Sequence, residues 1–459
     1  MTRHFDAIVI GAGISGETCA HRLRLGKMRV ALVEAEHIGG ECAYWASIPT
    51  LSLLGPANAR WRAGALSGLA SPAIASPRSL TPSEILFSAL DESAQVSAIE
   101  QEGGVFIHGQ VRFVQQDQVE VDVEGAVQRL QAPHIVVATG SVPAIPQIQG
   151  LSDIGYWTTR EATTAAATPQ HLVILGGEGQ AVEIAQMFRL YGADVTLITR
   201  REHLLVDEDP EVGEFLARSL HQQGIRIVMG QRVVHVGRDA DHPCVVALDD
   251  DTEIHTQRLV VATRRHPRIQ GLHLANAGVR YRDSGIIIDE TCRAAEGVWA
   301  IGAVTGIGQL SHIAQYQARI AADDILGQPH MAHYDSVPRI LYTDPQIAVT
   351  GRTTAQMVEE EAARVVSVAV ELNEKKTHLP TVRQPENGRL TLYANVDRGT
   401  LVGAWAIATE ASEWIQLAVY AIRSETSLDV LRDTLEQFPP FGEIYLSAID
   451  QLLTACATH

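Results

Sequence analysis

Ala7-Ile8-Val9-Ile10 runs directly into Gly11-Ala12-Gly13-Ile14-Ser15-Gly16, then into a helical stretch, and then into Arg29-Val30-Ala31-Leu32-Val33-Glu34. A short apolar run that stops at a glycine turn reads as a buried parallel strand. The spacing of the glycines gives each a distinct role. Gly11 permits the tight turn, Gly13 lets backbone N–H groups approach a pyrophosphate, and Gly16 lets the helix close on the strand. Glu34 ends the second strand, where a carboxylate accepts hydrogen bonds from an adenosine ribose. All four positions of a dinucleotide-binding βαβ unit are intact, and such a unit holds FAD or NAD.

The same pattern returns once. Leu172-Val173-Ile174-Leu175 leads into Gly176-Gly177-Glu178-Gly179-Gln180-Ala181, a helix, and Asp194-Val195-Thr196-Leu197-Ile198-Thr199. Here Glu178 stands where the central glycine belongs, so a side chain and a negative charge face an incoming pyrophosphate. Thr199 stands where a ribose-binding acid would be, followed by Arg200 and Arg201, which suit either a 2′-phosphate or a solvated turn. Each unit continues to a further strand with an Ala-Thr end, Ile135-Val136-Val137-Ala138-Thr139-Gly140 and Leu259-Val260-Val261-Ala262-Thr263. The fold class is therefore α/β, with two Rossmann-like domains and a third, C-terminal α+β region of alternating strands (Leu390 to Ala394, Val402 to Ile407) and a helix from Glu413.

At 459 residues the chain is too long for one ordinary core. A formal charge of −18 argues against nucleic-acid partners. No apolar run reaches membrane-spanning length, and the first residues enter a strand directly, so no membrane association and no signal peptide are expected. Cys19, Cys42, Cys244, Cys292 and Cys456 give neither a disulfide framework nor metal-ligand spacing. No metal is expected, and a reducing cytoplasm fits.

Between the two units lies Gly39-Gly40-Glu41-Cys42-Ala43-Tyr44-Trp45-Ala46-Ser47-Ile48-Pro49-Thr50. Together with the two fingerprints, Ser311-His312-Ile313-Ala314-Gln315, and Val337-Pro338-Arg339-Ile340-Leu341-Tyr342-Thr343-Asp344-Pro345, it resembles the flavoprotein disulfide reductases over essentially the whole chain. That is the pyridine nucleotide-disulfide oxidoreductase family of glutathione reductase, lipoamide dehydrogenase and mercuric reductase. The resemblance implies an FAD domain at 1–150 and 270–330, an NAD(P)-like domain at 151–269, and a dimerisation domain at 331–459 of a homodimer. It implies that Gly39, Gly40, Thr139 and Gly140 line FAD beside Gly11, Gly13, Gly16 and Glu34.

The departures from that family's pattern are as informative. Its loop reads GG-x-C-x4-C, and here Cys42 keeps the first thiol while Ser47 replaces the second. Serine forms no disulfide. In the segment matching His-Pro-x3-Glu, Phe438 takes the place of the proton-carrying histidine, followed by Phe441 and Glu443. Leu51 replaces the lysine that pairs with a glutamate whose counterpart is Glu183. An unpaired Glu183 either has a raised pKa and serves as a base or turns to water. Ala303 replaces the aspartate that holds the flavin's ribityl chain, which weakens FAD binding by about 1.5–3 kcal/mol without abolishing it. Glu178, Thr199 and Arg264 leave NAD(P)H binding weak or lost.

These losses lead to an expected function: an FAD-binding oxidoreductase that is not a disulfide reductase and acts directly at the flavin on a small organic, aromatic or lipophilic substrate. Cys42, Glu183 and Glu443 are its candidate catalytic residues, with Cys42 either a nucleophile or a packed remnant. Tyr44, Trp45, Ser47, Phe438 and Phe441 are its candidate pocket. The alternatives are a cofactor-free or redox-neutral enzyme reusing the clefts, or a non-catalytic scaffold.

Overall fold

In the computed structural model of the chain, residues 1–65, 92–239, 242–359, 364–372, 388–434 and 442–458 are described. Ala7–Ile10, Val30–Glu34 and Val105–His108 lie side by side and parallel. His134–Val137 and Val298–Ala300 extend the sheet on the other side of Ala7–Ile10, and antiparallel Arg293–Ala295 closes that edge. The continuous apolar runs follow from burial on both faces. Alternation sends Ile8, Ile10, Val33, Ile135 and Val137 into one core, and Ala7, Val9, Leu32 and Val136 into another. The second core is roofed by the helices Ile14–Leu25 and Ser311–Ile325, which supply Cys19, Leu23, Ala318 and Ala321.

The second unit repeats the plan. Arg226–Val228, Asp194–Ile198, His171–Leu175 and Arg258–Val261 form a parallel sheet in that order. A small antiparallel sheet, Val233–Gly237, Cys244–Leu248 and Glu253–Thr256, packs beside it through Val236, Val246 and Ile254. The third region is a five-stranded antiparallel sheet in the order Arg339–Leu341, Gln346–Gly351, Thr400–Ala408, Arg389–Asn395, Val365–Glu371.

Both faces of that last sheet are covered within the chain. Leu390, Leu392, Ala404 and Ala406 meet the helices Ala411–Arg423 and Gly442–Thr458, while Tyr393, Trp405, Ile407 and Ile347 pack into the core of the second unit. The helix Ser47–Ala65 joins that same core through Leu53 and Leu54, alongside Met187 and Phe188 of the helix Gly179–Leu190. The Tyr191 hydroxyl donates to the Leu53 carbonyl at 3.1 Å. The loop carrying Cys42 thus runs into a helix anchored between the two dinucleotide units. Among the described residues no helix is long and apolar enough to cross a membrane.

Candidate functional site

The first fingerprint closes as its glycines require. Gly11 has φ +103°, and a Cβ on Gly16 would overlap the Gly11 carbonyl oxygen, so neither tolerates a side chain. Gly13 differs: its φ is ordinary, −71°, and a Cβ there would meet nothing within 4 Å. The space above it, at the start of the helix Ile14–Leu25, is open for a ligand to approach the backbone.

Glu34 is 8% exposed and already bound to the protein. Its Oε2 accepts from the Ala12 N–H at 2.6 Å, and its Oε1 accepts from Ala35 and Glu36 at 2.9 and 2.8 Å. A carboxylate offers about four lone-pair sites, so these three bonds fix its orientation and leave acceptor capacity for a ribose.

The Cys42 loop docks onto this fingerprint. Gly39 N–H donates to the Ala12 carbonyl at 2.7 Å, and Gly39 bridges Gly13 in parallel register. The half-buried Cys42 Sγ lies 3.2 Å from the Ser311 hydroxyl, at the start of the helix Ser311–Ile325. The next residue of that helix, His312, is pushed by burial below the usual imidazole range. Ser47 is exposed at the start of the helix Ser47–Ala65.

A charge cluster that no sequence motif announces holds this loop. Arg160 lies on the helix Thr159–Thr163, which is capped by Thr158 and Glu161. Its Nη2 donates to Glu41 at 2.7 Å and to Glu36 at 2.9 Å, and its guanidinium sits 3.9 Å from the Trp45 ring centroid. Arg265 reaches Glu41 at 3.1 Å, and Arg268 reaches Glu36 at 3.5 Å. Burial pushes the Glu36 carboxyl up, but its bonds to Arg160 and the nearby Arg268 charge outweigh this and hold it below the usual range. Burial also lowers the Arg265 pKa, against the charge of Glu41.

Three guanidiniums face two carboxylates here, and Nη1 of Arg265 and Nε of Arg268 are buried without a hydrogen-bond partner among the described residues. The Arg268 backbone adjoins the Thr139–Gly140 turn, its N–H donating to the Gly140 carbonyl at 2.9 Å and its carbonyl accepting from the Thr139 hydroxyl at 2.7 Å. Open backbone at Gly13 and Gly140, a helix N-terminus and surplus positive charge together fit the pyrophosphate of FAD.

Two of the candidate pocket residues pack against neighbours around the thiol loop. Tyr44 is 6% exposed and packed between His37 and Trp45, with ring centroids 5.0 and 5.6 Å away. One face of Trp45 is covered by Arg160, and its carbonyl accepts from Thr163 at 3.1 Å. The two rings lock the loop from within. Phe438 and Phe441 fall outside the described residues, as does the side chain of Glu443, whose backbone begins the helix Gly442–Thr458.

Glu183, on the helix Gly179–Leu190, accepts from the Tyr342 N–H at 2.8 Å. Burial raises its pKa to about 7 against that one hydrogen bond. Glu178 caps the same helix with φ −96°, a conformation open to any residue. Burial and then the nearby Asp207 charge raise its pKa, opposed by Arg264 and Arg201. A backbone hydrogen bond from Val206 also lowers it, and Glu178 stands at the N-terminal end of the helix that follows the second fingerprint's first strand.

A pyridine nucleotide-disulphide oxidoreductase model matches residues 5–318, and the dimerisation-domain model of that family matches residues 337–449. A mercuric reductase from Streptomyces lividans is 28% identical over 450 residues, spanning 96% of this chain and 94% of that protein. A dihydrolipoyl dehydrogenase from Chlamydia pneumoniae is 27% identical over 459 residues, spanning 97% and 96%. Among solved structures, the Cu(II) complex of the HOCl-induced flavoprotein disulfide reductase RclA from Escherichia coli superposes with a TM-score of 0.85 at 23% identity, covering 98% of this chain and all of that one. LpdA from Mycobacterium tuberculosis gives 0.85 at 22%, covering 97% and 99%.

These relatives correct the functional expectation. Ser47 and Phe438 had suggested a chain that has left disulfide chemistry for a small organic substrate at the flavin, or one that is cofactor-free, redox-neutral or a scaffold. Whole-length similarity to mercuric reductases and a dihydrolipoyl dehydrogenase points instead to disulfide-reductase-type function. Two substituted side chains do not outweigh a match that spans the chain. The cofactor expectation stands: the protein uses FAD, as its family does, and NAD(P)H use is typical of that family. With both fingerprints, the thiol loop and the C-terminal sheet matched in order, the chain belongs to the pyridine nucleotide-disulphide oxidoreductase family.

Proposed function

We propose that this chain is an FAD-linked reductase of the disulfide-reductase type, whose substrate engages the Cys42 thiol. The observation that carries the proposal is Cys42 itself: half-buried, in hydrogen-bond reach of Ser311, on the short helix Gly40–Tyr44 that follows Gly39, docked against the first fingerprint. Gly11, Gly13, Gly16, Glu34, Gly39, Gly40, Thr139 and Gly140 hold FAD, which when bound supplies a two-electron carrier between a reduced nicotinamide and the thiol loop.

Because Ser47 offers no second sulfur, the substrate supplies it. The Cys42 thiolate attacks a disulfide RSSR, forming a Cys42–S–S–R bond and releasing RS⁻. Two electrons and one proton then return Cys42 to the thiolate and release RSH. Ser311 orients the thiol. Glu183, with a pKa near neutrality, serves as the proton reservoir in place of the family's histidine. A soft metal ion held between Cys42 and an external thiolate would accept electrons at the same atom, the class of substrate named for the mercuric reductases among the relatives.

The working unit is a cytoplasmic homodimer acting on a small molecule. Its chain divides at 1–150 with 270–330, 151–269 and 331–459. The dimerisation-domain match supports the dimer.

Anaerobic turnover with NADPH, glutathione disulfide, an aryl disulfide and a thiol complex of Hg2+ tests this. Consumption of one of these acceptors, abolished in Cys42→Ser with flavin content unchanged, is expected. Undiminished turnover in Cys42→Ser, or no turnover with any of them, would overturn the proposal.

A further inference from the structure

Asp239, His242 and His255 bring three metal-ligating atoms to one place on the small antiparallel sheet of the second unit. Asp239 and His242 lie between the strands Val233–Gly237 and Cys244–Leu248, and His255 comes from the neighbouring strand Glu253–Thr256. Alternation along that last strand buries Ile254 and Thr256 and turns His255 outward. Backbone bonds draw the other two together: His242 N–H donates to Asp239 Oδ1 at 2.6 Å, and Asp239 N–H donates to the His242 carbonyl at 3.2 Å.

The side chains converge as a result. His242 Nδ1 lies 3.0 and 3.1 Å from the two Asp239 oxygens, and His255 Nε2 lies 3.6 Å from Oδ2. The imidazole rings are stacked, with centroids 4.1 Å apart and planes 8° from parallel. One ligand atom from each residue lies within 4.8 Å of the other two. Ligands at ~2.0–2.1 Å from a tetrahedral Zn2+ are roughly 3.4 Å from one another. To bind one ion the two stacked rings would part, so that their in-plane nitrogen lone pairs converge, a movement open to three partly exposed side chains.

We propose that Asp239, His242 and His255 form a binding site for a divalent transition metal of the Zn2+ class. Two imidazole nitrogens and one carboxylate oxygen suit Zn2+ or Cu2+ and do not suit Mg2+ or Ca2+, which take all-oxygen sets. Three protein ligands leave a fourth position for water. The ion would tie the connection before Cys244 to the strand carrying His255.

The test uses the full-length FAD-containing protein, stripped with a chelator and with Cys42 blocked by alkylation so that its thiol contributes nothing. Calorimetric titration with Zn2+ should show one ion per chain. His242→Ala and His255→Ala should each weaken binding at least tenfold, as should the isosteric Asp239→Asn, while His21→Ala on the opposite unit leaves it unchanged. Equal affinity and stoichiometry in all variants would mean adventitious binding to surface histidines, and would overturn the proposal. So would the absence of binding to the unmodified protein.

Discussion

Arg160 donates to Glu41 at 2.7 Å across 119 residues of sequence, joining the second dinucleotide unit to the residue beside Cys42. The pair is backed by Glu36 on one side and by the Trp45 ring on the other, with the Arg160 side chain 25% exposed. Removing one partner of such a pair leaves the other charge poorly solvated. Arg160→Ala should lower stability by about 1–3 kcal/mol and raise the rate at which iodoacetamide alkylates Cys42. Thermal unfolding and the alkylation rate together check this. A Cys42 rate unchanged while stability falls would mean that the clamp holds the units but not the loop.

Gly13 and Gly16 should separate folding from cofactor binding. A Cβ at position 13 meets nothing in the protein, whereas one at position 16 overlaps a carbonyl oxygen. Gly13→Leu should yield a folded chain with little flavin per molecule by visible absorbance. Gly16→Ala should instead lose stability, by more than about 1 kcal/mol. Full flavin occupancy in Gly13→Leu would place the pyrophosphate elsewhere.

Glu178 gives nicotinamide binding a pH dependence with a definite sign. Its pKa is raised, chiefly by burial, so acidification neutralises it at a higher pH than an ordinary glutamate. Affinity for NADPH should increase as pH falls, and Glu178→Gln should bind at least about fivefold more tightly near pH 8, corresponding to about 1 kcal/mol of relieved repulsion. Fluorescence titration at pH 6 and 8 checks both. A pH slope equal in the wild type and the variant would assign the effect to another group.

Glu183 carries a comparable sign into stability. Its folded pKa of about 7 exceeds its ordinary value of 4.5. Below both values the group is neutral in either state and costs nothing. Between them the unfolded chain releases a proton that the folded chain keeps, so stability falls as pH rises, and the loss saturates above 7 at up to about 3 kcal/mol. Glu183→Gln should flatten this part of the Tm-against-pH curve, raising Tm near pH 8 and leaving it unchanged near pH 4.5.

The βαβ units were legible because their glycines answer to the backbone, a local demand that spacing reports directly. Gly16 is a glycine whatever the rest of the chain does. The Arg160 clamp and the Asp239, His242 and His255 cluster were not legible, because each forms only when distant strands and helices pack. Tyr44 and Trp45 illustrate the same limit: an aromatic pair next to a thiol reads equally as a pocket lining or as filling, and their contacts with His37 and Arg160 form only in the fold. Glu34 was read as a ribose acceptor alone, whereas its carboxylate also organises three backbone N–H groups. Ser47 misled in a different way. A sequence shows which sulfur a chain lacks, and a reaction with an external sulfur leaves no mark at that position.

The helix Ser47–Ala65 has a mechanical consequence. Its first turn continues the thiol loop, and Leu53 and Leu54 are buried in a core shared by the second unit and the C-terminal sheet. The thiol loop is therefore coupled through this helix to the core of the second unit. A swing of one dinucleotide unit against the other large enough to admit a reductant would pull on the same rod that carries Cys42, so donor entry and thiol placement are geared together and do not move as separate parts.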